Sequence, residues 1–223
     1  MNEIFSRQIL MLPDKCQEKL KKAVLLVAGV GGLGSVASEL LVRVGIGKLY
    51  IVDKGVIDLP DLNRQIHYTM EDLGKKKVEI AEKKLSKINN FTKIISIDSE
   101  VDENFKLPSD IVGIMDCFDN LKARYIIDDL IKGTNIFLVH GAIREFYGQV
   151  TTIIPEKTKT LREILKNIPD KDEPIPVIAP TPSVVASIQV MEAVKLLCNF
   201  EDVLLNKILF IDLKDYTFEM VKL

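Results

Sequence analysis

Cysteine and histidine are scarce in this sequence, which has three cysteines and two histidines among 223 residues. Cys16, Cys117 and Cys198 stand alone and form no CxxC pair. The sequence therefore predicts neither a disulfide framework nor a zinc site, and each cysteine is expected to be a small buried apolar residue. His67 and His140 lack the spacing to a carboxylate or a second histidine that metal sites show. They are interpreted as structural or close to the substrate, and the structural interpretation is favoured.

The sequence also lacks a large net charge and a long uninterrupted apolar run. A formal net charge of -2 and a pI near 5.8 give no global attraction to nucleic acid or an anionic membrane, so neither partner is expected. The most apolar stretch, residues 24–38, contains several glycines and is shorter than the roughly 20 residues of a membrane span. The N-terminus has an acidic residue where a signal peptide is basic. We expect a cytoplasmic protein.

The chain does contain an alternation of apolar strand-like runs and helical patterns. Residues 23–28 form a continuous apolar run, typical of a buried parallel strand, before a glycine cluster. Helical spacing over 33–44 and a β-rich run at 48–52 complete a βαβ unit. The same alternation predicts helices at 75–89 and 120–132 and strands at 93–97, 111–115 and 136–139. The predicted fold class is α/β, with a Rossmann-like doubly wound, mainly parallel sheet.

The pattern changes after Gly141. A strand is predicted at 149–154, followed by a long excursion at 156–180 of the kind that is usually functional or mobile. Thr181 and Pro182 predict a helix start, with Thr181 as N-cap and Pro182 as the first helical residue. Two strand-like runs, at 207–213 and 216–221, predict an antiparallel hairpin that extends the sheet.

The composition favours one continuous domain. No Ser/Gly/Pro-rich or low-complexity tract interrupts the chain, of which 47% is hydrophobic and 28% charged. We expect a single domain over residues 1–223. It comprises N-terminal helices in 1–22, a Rossmann-like half in 23–141, and antiparallel strands, a crossover loop and a terminal hairpin in 142–223.

A glycine motif lies between the first predicted strand and helix. Gly29, Gly31, Gly32 and Gly34 fit G-x-G-x-x-G, and Asp53 follows 19 residues later. The glycines permit a tight turn and close approach of a phosphate, and the acid can bind a ribose hydroxyl. The motif favours nucleotide binding over a turn needed only for packing. It does not choose between NAD and ATP.

Residues beyond the glycine motif favour ATP. The segment 53–65 reads DKGVIDLPDLNRQ and resembles the ThiF/MoeB/HesA family of adenylyltransferases, whose motif ends in N-L-x-R-Q. The RQ pair at 7–8, GKKKV at 74–78 and DCFDN at 116–120 match further family motifs in the same order. The strand pair around HGA at 140–142 and GQV at 148–150 also matches. The resemblance extends to the C-terminus.

The resemblance implies a reaction and its partners. ATP and the C-terminal glycine carboxylate of a small β-grasp sulfur-carrier protein, ThiS-like or MoaD-like and ending in Gly-Gly, would give an acyl-adenylate and pyrophosphate. Such a carboxylate is already ionised at neutral pH, so it needs alignment and charge neutralisation rather than a general base. The expected cofactors are ATP and Mg²⁺, and the expected assembly is a homodimer.

The resemblance also implies the roles of single residues. Arg7, from the other subunit, Arg64 and Lys77 would bind the phosphates. Asp119 would hold Mg²⁺, and Asp53 would hold the ribose. Two further residues are expected beside the nucleotide: Gln65, which would orient Arg64 or a phosphate, and Asn120, which also fits a helix N-cap.

Departures from the family pattern limit what can be transferred. Two CxxC pairs that bind zinc in many members are absent, so no zinc is expected, and 156–180 lacks the cysteine that some members use for sulfur chemistry. Gly55 stands where an acid is common, and Asp61 stands where Asn is usual. A carboxylate at position 61 would repel the triphosphate, so we expect Mg²⁺ or Arg64 to offset its charge.

Three alternatives remain open at this stage. An NAD(P)-dependent oxidoreductase would explain the glycine motif and Asp53 but not Arg7, Arg64, Lys77 and Asp119. A noncatalytic nucleotide-binding scaffold would explain the departures, and ATP turnover would exclude it. A tRNA threonylcarbamoyladenosine dehydratase is suggested by the run NRQIH at 63–67, and salt-sensitive tRNA binding would favour it. Neither the carrier, its pathway nor a later sulfur transfer can be read from the sequence.

Overall fold

The computed structural model describes residues 3–166, 168 and 175–223. Its strands form one sheet in the order β3-β2-β1-β4-β5-β6-β7-β8. The bounds are β1 Val24–Ala28, β2 Lys48–Asp53, β3 Lys93–Asp98, β4 Gly113–Asp116, β5 Phe137–Arg144, β6 Tyr147–Ile153, β7 Lys207–Asp212 and β8 Thr217–Lys222. β1 to β5 pair in parallel, and β6, β7 and β8 add antiparallel strands. The predicted fold class is confirmed.

Helices cover both faces of the sheet. Their bounds are α1 Ser6–Ile9, α2 Cys16–Lys22, α3 Gly32–Val44, α4 Lys77–Leu85, α5 Leu121–Leu130, α6 Leu161–Ile164 and α7 Pro180–Cys198. One core cluster joins the sheet to α2, α3, α4 and α7, and a second joins it to α5 and α6. The central strands are buried on both faces, which explains the uninterrupted apolar run of β1.

Parallel pairing brings the carboxyl ends of the central strands to one edge of the sheet. Ala28, the last residue of β1, is in register with Val52 of β2 and with Asp116 of β4. The residues that follow these strands, including Gly29 and Asp119, therefore start from neighbouring positions. In open α/β sheets this edge is where ligands bind.

Several predicted element bounds were wrong. The helix predicted at 75–89 is the shorter α4, and the strand predicted to stop at 139 continues to Arg144, because β6 pairs with it across Gly141. Helix α7 begins at Pro180 after Ala179, so Thr181 is not its N-cap. Thr181 Oγ1 donates instead to the carbonyl of Glu145 at 2.8 Å.

The interpretation of the cysteines needs a correction. Cys16 and Cys198 are buried as expected, but they form a disulfide between residues 182 positions apart. It joins the first residue of α2 to the last residue of α7. The two cysteines are brought together only when the N-terminal helix packs on α7, a long-range contact that spacing does not reveal. Cys117 is a free buried thiol.

The excursion at 156–180 contains α6, but residues 167 and 169–174 of it lie outside the described part of the chain. Asp128 of α5 anchors α6, because its carboxylate accepts from the N–H groups of Leu161 and Arg162 at 3.0 and 3.1 Å. Within the described ranges, α7 is the helix with the length and composition of a membrane span. More than half of it is buried inside the fold, so this is weak evidence for a span.

Candidate nucleotide-binding site

The glycine turn connects β1 to α3 at the carboxyl edge of the sheet. Gly29 has φ of +90°, and a Cβ there would lie 3.0 Å from the carbonyl oxygen of Cys117. At Gly34 a Cβ would lie 1.8 Å from the carbonyl oxygen of Gly29. Side chains at both positions are therefore excluded, the first by backbone conformation and the second by contact between turn and helix.

The N-terminus of α3 is open toward a ligand. No side chain caps it, and Gly31 and Gly32 are partly exposed. Helix N-termini carry unpaired N–H groups and a partial positive charge, which together favour a phosphate. The turn has the properties of a phosphate-binding loop.

Asp53, at the end of β2, holds this loop in place. Its Oδ2 accepts from the N–H of Val30 at 2.9 Å, and its Oδ1 accepts from the N–H of Gly55 at 2.7 Å. A carboxylate oxygen can accept two hydrogen bonds, so each oxygen of Asp53 retains the capacity to bind a ribose hydroxyl. That role remains a prediction.

Asp61 is the centre of the charged contacts near the loop. Its Oδ2 lies 2.9 Å from Lys77 Nζ and accepts from the N–H of Asp58 at 3.1 Å, and its Oδ1 accepts from Gln65 Nε2 at 2.6 Å. Arg64 Nη2 is farther away, at 3.7 Å from Oδ1. Arg64 thus pairs with Asp61 as expected from the sequence, but Lys77 is the closest cation within the described ranges. A contribution of Mg²⁺ remains a prediction.

Arg64 and Gln65 lie against the glycine turn. The side-chain Cγ of Arg64 is 3.5 Å from where Gly32 would carry a Cβ, and Nη1 donates to Pro60 O and Asn63 Oδ1, each at 2.9 Å. Gln65 Nε2 is 3.7 Å from the corresponding point at Gly31, and its buried Oε1 has no hydrogen-bond partner among the described residues. The roles of both side chains toward a nucleotide remain predictions.

Asp119 and Asn120 follow β4 at the same edge. Asp119 is exposed, and Asn120 caps α5 by accepting from the N–H of Ala123 at 2.9 Å. The N-cap prediction for Asn120 is confirmed. Within the described ranges, no group of three His, Cys, Asp or Glu side chains is placed to hold a metal ion. Mg²⁺ commonly binds through one or two carboxylates plus substrate phosphates, and Asp119 suits that mode.

Arg7 lies far from the other predicted site residues of its own chain. It is exposed on α1, and its neighbour Gln8 donates to the carbonyl of Val44 at 2.9 Å, at the last residue of α3. The glycine turn is at the opposite end of this 13-residue helix, about 20 Å away at about 1.5 Å per residue. An arginine side chain cannot span that distance.

A buried polar network under the site escaped the sequence interpretation. Arg124 Nη1 lies 3.1 Å from Asp116 Oδ2 and donates to the carbonyl of Gly141 at 2.8 Å, while Nη2 donates to the carbonyl of Phe118. These contacts fix the turn that leads from β4 to Asp119. The available signal was a single basic residue on the inner face of the helix predicted at 120–132, between the apolar Ala123 and Ile127.

His140 completes this network. Burial, followed by the nearby Arg124, lowers its pKa, so the ring is neutral. Nδ1 lies 2.7 Å from Asp116 Oδ2 and 2.8 Å from Arg124 Nη1, and Nε2 lies 3.2 Å from Gln149 Nε2. We assign the proton to Nδ1, which then donates to Asp116, because Arg124 Nη1 has oxygen acceptors in Asp116 and Gly141 and Nε2 then accepts from Gln149. Burial alone would raise the pKa of Asp116, but Arg124 and His140 outweigh it and hold that pKa below its usual range. The structural interpretation of His140 fits these contacts.

His67 is buried as well. Its Nε2 lies 2.9 Å from Ser38 Oγ, and burial lowers its pKa to about 4. Both side chains are almost fully buried, so this Ser–His pair has no access to a substrate. Next to it, Tyr68 donates to the carbonyl of Val30 at 2.9 Å and thereby supports the glycine turn from the segment that carries Arg64.

Comparison with known proteins shows the family of this chain. The ThiF family model matches residues 5–223. The chain is 34% identical to the SAMP-activating enzyme E1 of Haloferax volcanii over 229 aligned positions, covering 97% of this chain and 83% of that protein. It is 33% identical to the sulfur carrier protein ThiS adenylyltransferase of Bacillus subtilis over 206 positions, covering 88% of this chain but 61% of that protein. The crystal structure of PaaA matches with a TM-score of 0.85 at 23% identity, covering 99% of this chain and 73% of that one, which shows the fold alone.

Proposed function

The chain belongs to the ThiF family, and we propose that it is an ATP-dependent adenylyltransferase that activates the C-terminal carboxylate of a small sulfur-carrier protein. The observation that carries this proposal is the set of charges around the glycine turn. Arg64 lies against Gly32 at the uncapped N-terminus of α3. Lys77 pairs with Asp61, which accepts from Gln65 beside Gly31, and Asp119 follows the neighbouring strand. A nicotinamide dinucleotide site needs no such cluster of two cations and a separate carboxylate.

The reaction requires charge neutralisation and alignment. The carrier carboxylate is ionised at neutral pH and attacks the α-phosphorus of ATP. A bond forms between the carboxylate oxygen and that phosphorus, the bond to the β-phosphate oxygen breaks, and pyrophosphate leaves with the electron pair. No proton transfer is needed, so this chemistry requires no general base. The N-terminus of α3, Arg64 and Lys77 would stabilise the phosphate charge.

Magnesium would complete the phosphate site. A bound Mg²⁺ would neutralise phosphate oxygens and stabilise the departing pyrophosphate. Asp119 would hold it, because Asp119 is exposed and directly follows Cys117 and Phe118, which lie next to Gly29 of the glycine turn. Asp53 would bind the ribose, and Asn120 would keep Asp119 at the start of α5.

The site would be completed by a second copy of the chain. Arg7 is too far from its own glycine turn to contribute, but in a twofold dimer it would reach the site of the partner. Apolar side chains near Arg7 and near Arg64 are unusually exposed: Leu10 and Met11 by 85% and 76%, and Leu59 and Met70 by 61% and 64%. Exposed apolar groups of this kind favour burial in an interface. In such a dimer, Leu10 and Met11 of one protomer would pack near Leu59 and Met70 of its partner.

The experiment that tests this function is ATP–pyrophosphate exchange. Purified protein is mixed with ATP, Mg²⁺, labelled pyrophosphate and a ThiS-like or MoaD-like carrier that ends in Gly-Gly. The proposal predicts label in ATP only when the carrier is present. A carrier without its last glycine is the matched control and should support no exchange. Exchange that is absent with every such carrier would contradict the proposed function.

A further inference from the structure

Lys77 and Asp61 form a nearly buried ion pair beside the glycine turn. Their side chains are 14% and 12% exposed, and Nζ and Oδ2 are 2.9 Å apart. Of the predicted phosphate-binding cations, Lys77 is therefore the one whose position is fixed by a short contact with a carboxylate. Arg64 is held mainly by backbone and amide oxygens of its own turn.

The Asp61 carboxylate is itself held rigidly. Three donors approach it within 3.1 Å: the N–H of Asp58, Gln65 Nε2 and Lys77 Nζ. Asp58 and Gln65 flank the 3-10 turn Leu59–Asn63 that contains Asp61, whereas Lys77 lies at the start of α4. Asp61 thus connects the turn that carries Arg64 to the helix that carries Lys77.

Gly55 lies on the other side of the Lys77 side chain. A Cβ at Gly55 would be 3.2 Å from Lys77 Cδ and 2.9 Å from Asp53 Oδ1. The carbonyl of Gly55 also accepts from the N–H of Lys77 at 3.0 Å. The two departures from the family pattern, Gly55 and Asp61, therefore meet at one residue. Position 55 thus lacks the carboxylate that is common there in the family, while position 61, on the other side of Lys77, has one.

We propose that Asp61 is a positioning residue, which holds the Lys77 ammonium in place to bind the phosphates of ATP and supplies from position 61 the carboxylate that is lacking at position 55. Lys77 has three N–H donors, so it contacts a phosphate without leaving Asp61. This bridging also keeps the Asp61 charge compensated when the triphosphate is bound. The inference rests on the proposed function, because ATP is the ligand that Lys77 would meet.

The test is a double-mutant cycle on ATP binding. The affinity of each variant is measured by titration calorimetry with ATP and Mg²⁺ in the absence of a carrier. Asp61→Asn keeps the size of the side chain but removes the charge that holds Lys77. We expect ATP affinity to fall about tenfold, the usual cost of a lost charge-assisted hydrogen bond. In a Lys77→Met background, Asp61→Asn should not lower the affinity, because its favourable effect acts through Lys77 and without Lys77 the Asp61 carboxylate mainly repels the triphosphate.

Two variants separate positioning from other effects. Asp58→Asn neutralises an exposed carboxylate that caps the same 3-10 turn and forms no ion pair within the described ranges. Asparagine is an equally good N-cap, so ATP affinity should stay at the wild-type value. Gly55→Asp combined with Asp61→Asn returns a carboxylate to the other side of Lys77. This pair should recover part of the lost affinity. Because a Cβ at Gly55 would lie 2.9 Å from Asp53 Oδ1 and 3.2 Å from Lys77 Cδ, both side chains must shift, so the pair is compared with Gly55→Asp alone.

The outcomes are distinct. If the wild type binds ATP and Asp61→Asn binds it equally well or more tightly, the positioning role of Asp61 is overturned but the proposed function is not. An Asp61→Asn effect of full size in the Lys77→Met background would also overturn that role, because it would show that Asp61 acts independently of Lys77. A wild type that binds no ATP would overturn both this inference and the proposed function.

Discussion

The N–H of Val30 donates to Asp53 Oδ2 at 2.9 Å, which fastens the glycine turn after β1 to the end of β2. The partner oxygen, Oδ1, fastens the next turn at Gly55 in the same way. One carboxylate therefore shapes two of the backbone segments that would surround a nucleotide. In addition to its proposed ribose contact, Asp53 is a structural part of the phosphate-binding loop.

Replacing Asp53 by alanine should affect both nucleotide binding and stability. Two buried or partly buried N–H groups would lose their acceptor, which costs about 1–3 kcal/mol each when they remain unpaired. We expect ATP affinity to drop at least about tenfold. The matched control is Asp98→Ala, because Asp98 is the register partner of Asp53 on β3 but pairs with the surface residue Lys76. Equal ATP affinities in the two variants would contradict the role of Asp53.

Arg124→Met should destabilise the protein strongly. The substitution leaves Asp116, which is fully buried, without its guanidinium and leaves the carbonyls of Phe118 and Gly141 without a donor. Breaking a buried ion pair from one side costs about 3–5 kcal/mol. Urea unfolding measures the loss. Arg162→Met, which removes a surface pair with Asp129, should cost no more than about 1 kcal/mol.

Unfolding should depend on pH through the buried histidines. Burial lowers the pKa of His67 from 6.5 to about 4, so the unfolded chain takes up a proton between these values while the folded chain does not. The contribution of His67 to the free energy of unfolding is therefore fully present above pH 6.5. It is lost as the pH drops toward 4, a decrease of about 3 kcal/mol. His67→Gln should flatten the curve over that range. His140, whose pKa burial also lowers, adds a slope of the same sign, whereas Asp128, whose pKa burial raises, opposes it.

The Cys16–Cys198 disulfide should stabilise the fold without taking part in the reaction. It closes a loop across a separation of 182 residues, and a disulfide contributes about 2–5 kcal/mol to the free energy of unfolding. Dithiothreitol should lower the melting temperature of the wild type. The double variant Cys16→Ser, Cys198→Ser should have the lower value already and show no further response. A wild type that is insensitive to the reductant would contradict the prediction.

Local patterns explain why so much of the fold could be predicted. The buried run of β1, the glycine turn and the spacing of α3 are each specified within a few residues, so the βαβ unit and Asp53 were recognised together. The remaining features depend on contacts between distant segments. Cys16 meets Cys198 only through packing of α2 on α7, and Lys77 meets Asp61 only because Gly55 and Lys77 are joined by a backbone hydrogen bond. No spacing rule reports such pairs.

The composite site can be tested by mixing inactive chains. Arg7→Ala and Asp119→Ala should each abolish carrier-dependent exchange. If Arg7 acts in the partner's site, a mixed dimer contains one site with both substitutions and one with neither. Equimolar mixing should therefore restore roughly a quarter of the wild-type activity, because half of the dimers are mixed and each has one intact site. Recovery that is absent at every mixing ratio would show that Arg7 does not complete the partner's site.

Adenylylation of the carrier is tested by measuring the mass of the carrier after incubation with this protein, ATP and Mg²⁺. A carrier ending in Gly-Gly should gain the mass of one adenylyl group at its C-terminal carboxylate. The gain should disappear with Lys77→Met and with a carrier whose terminal carboxylate is amidated. ATP consumption without any adenylylated carrier, or an unchanged mass with carriers of both the ThiS-like and MoaD-like type, would contradict it.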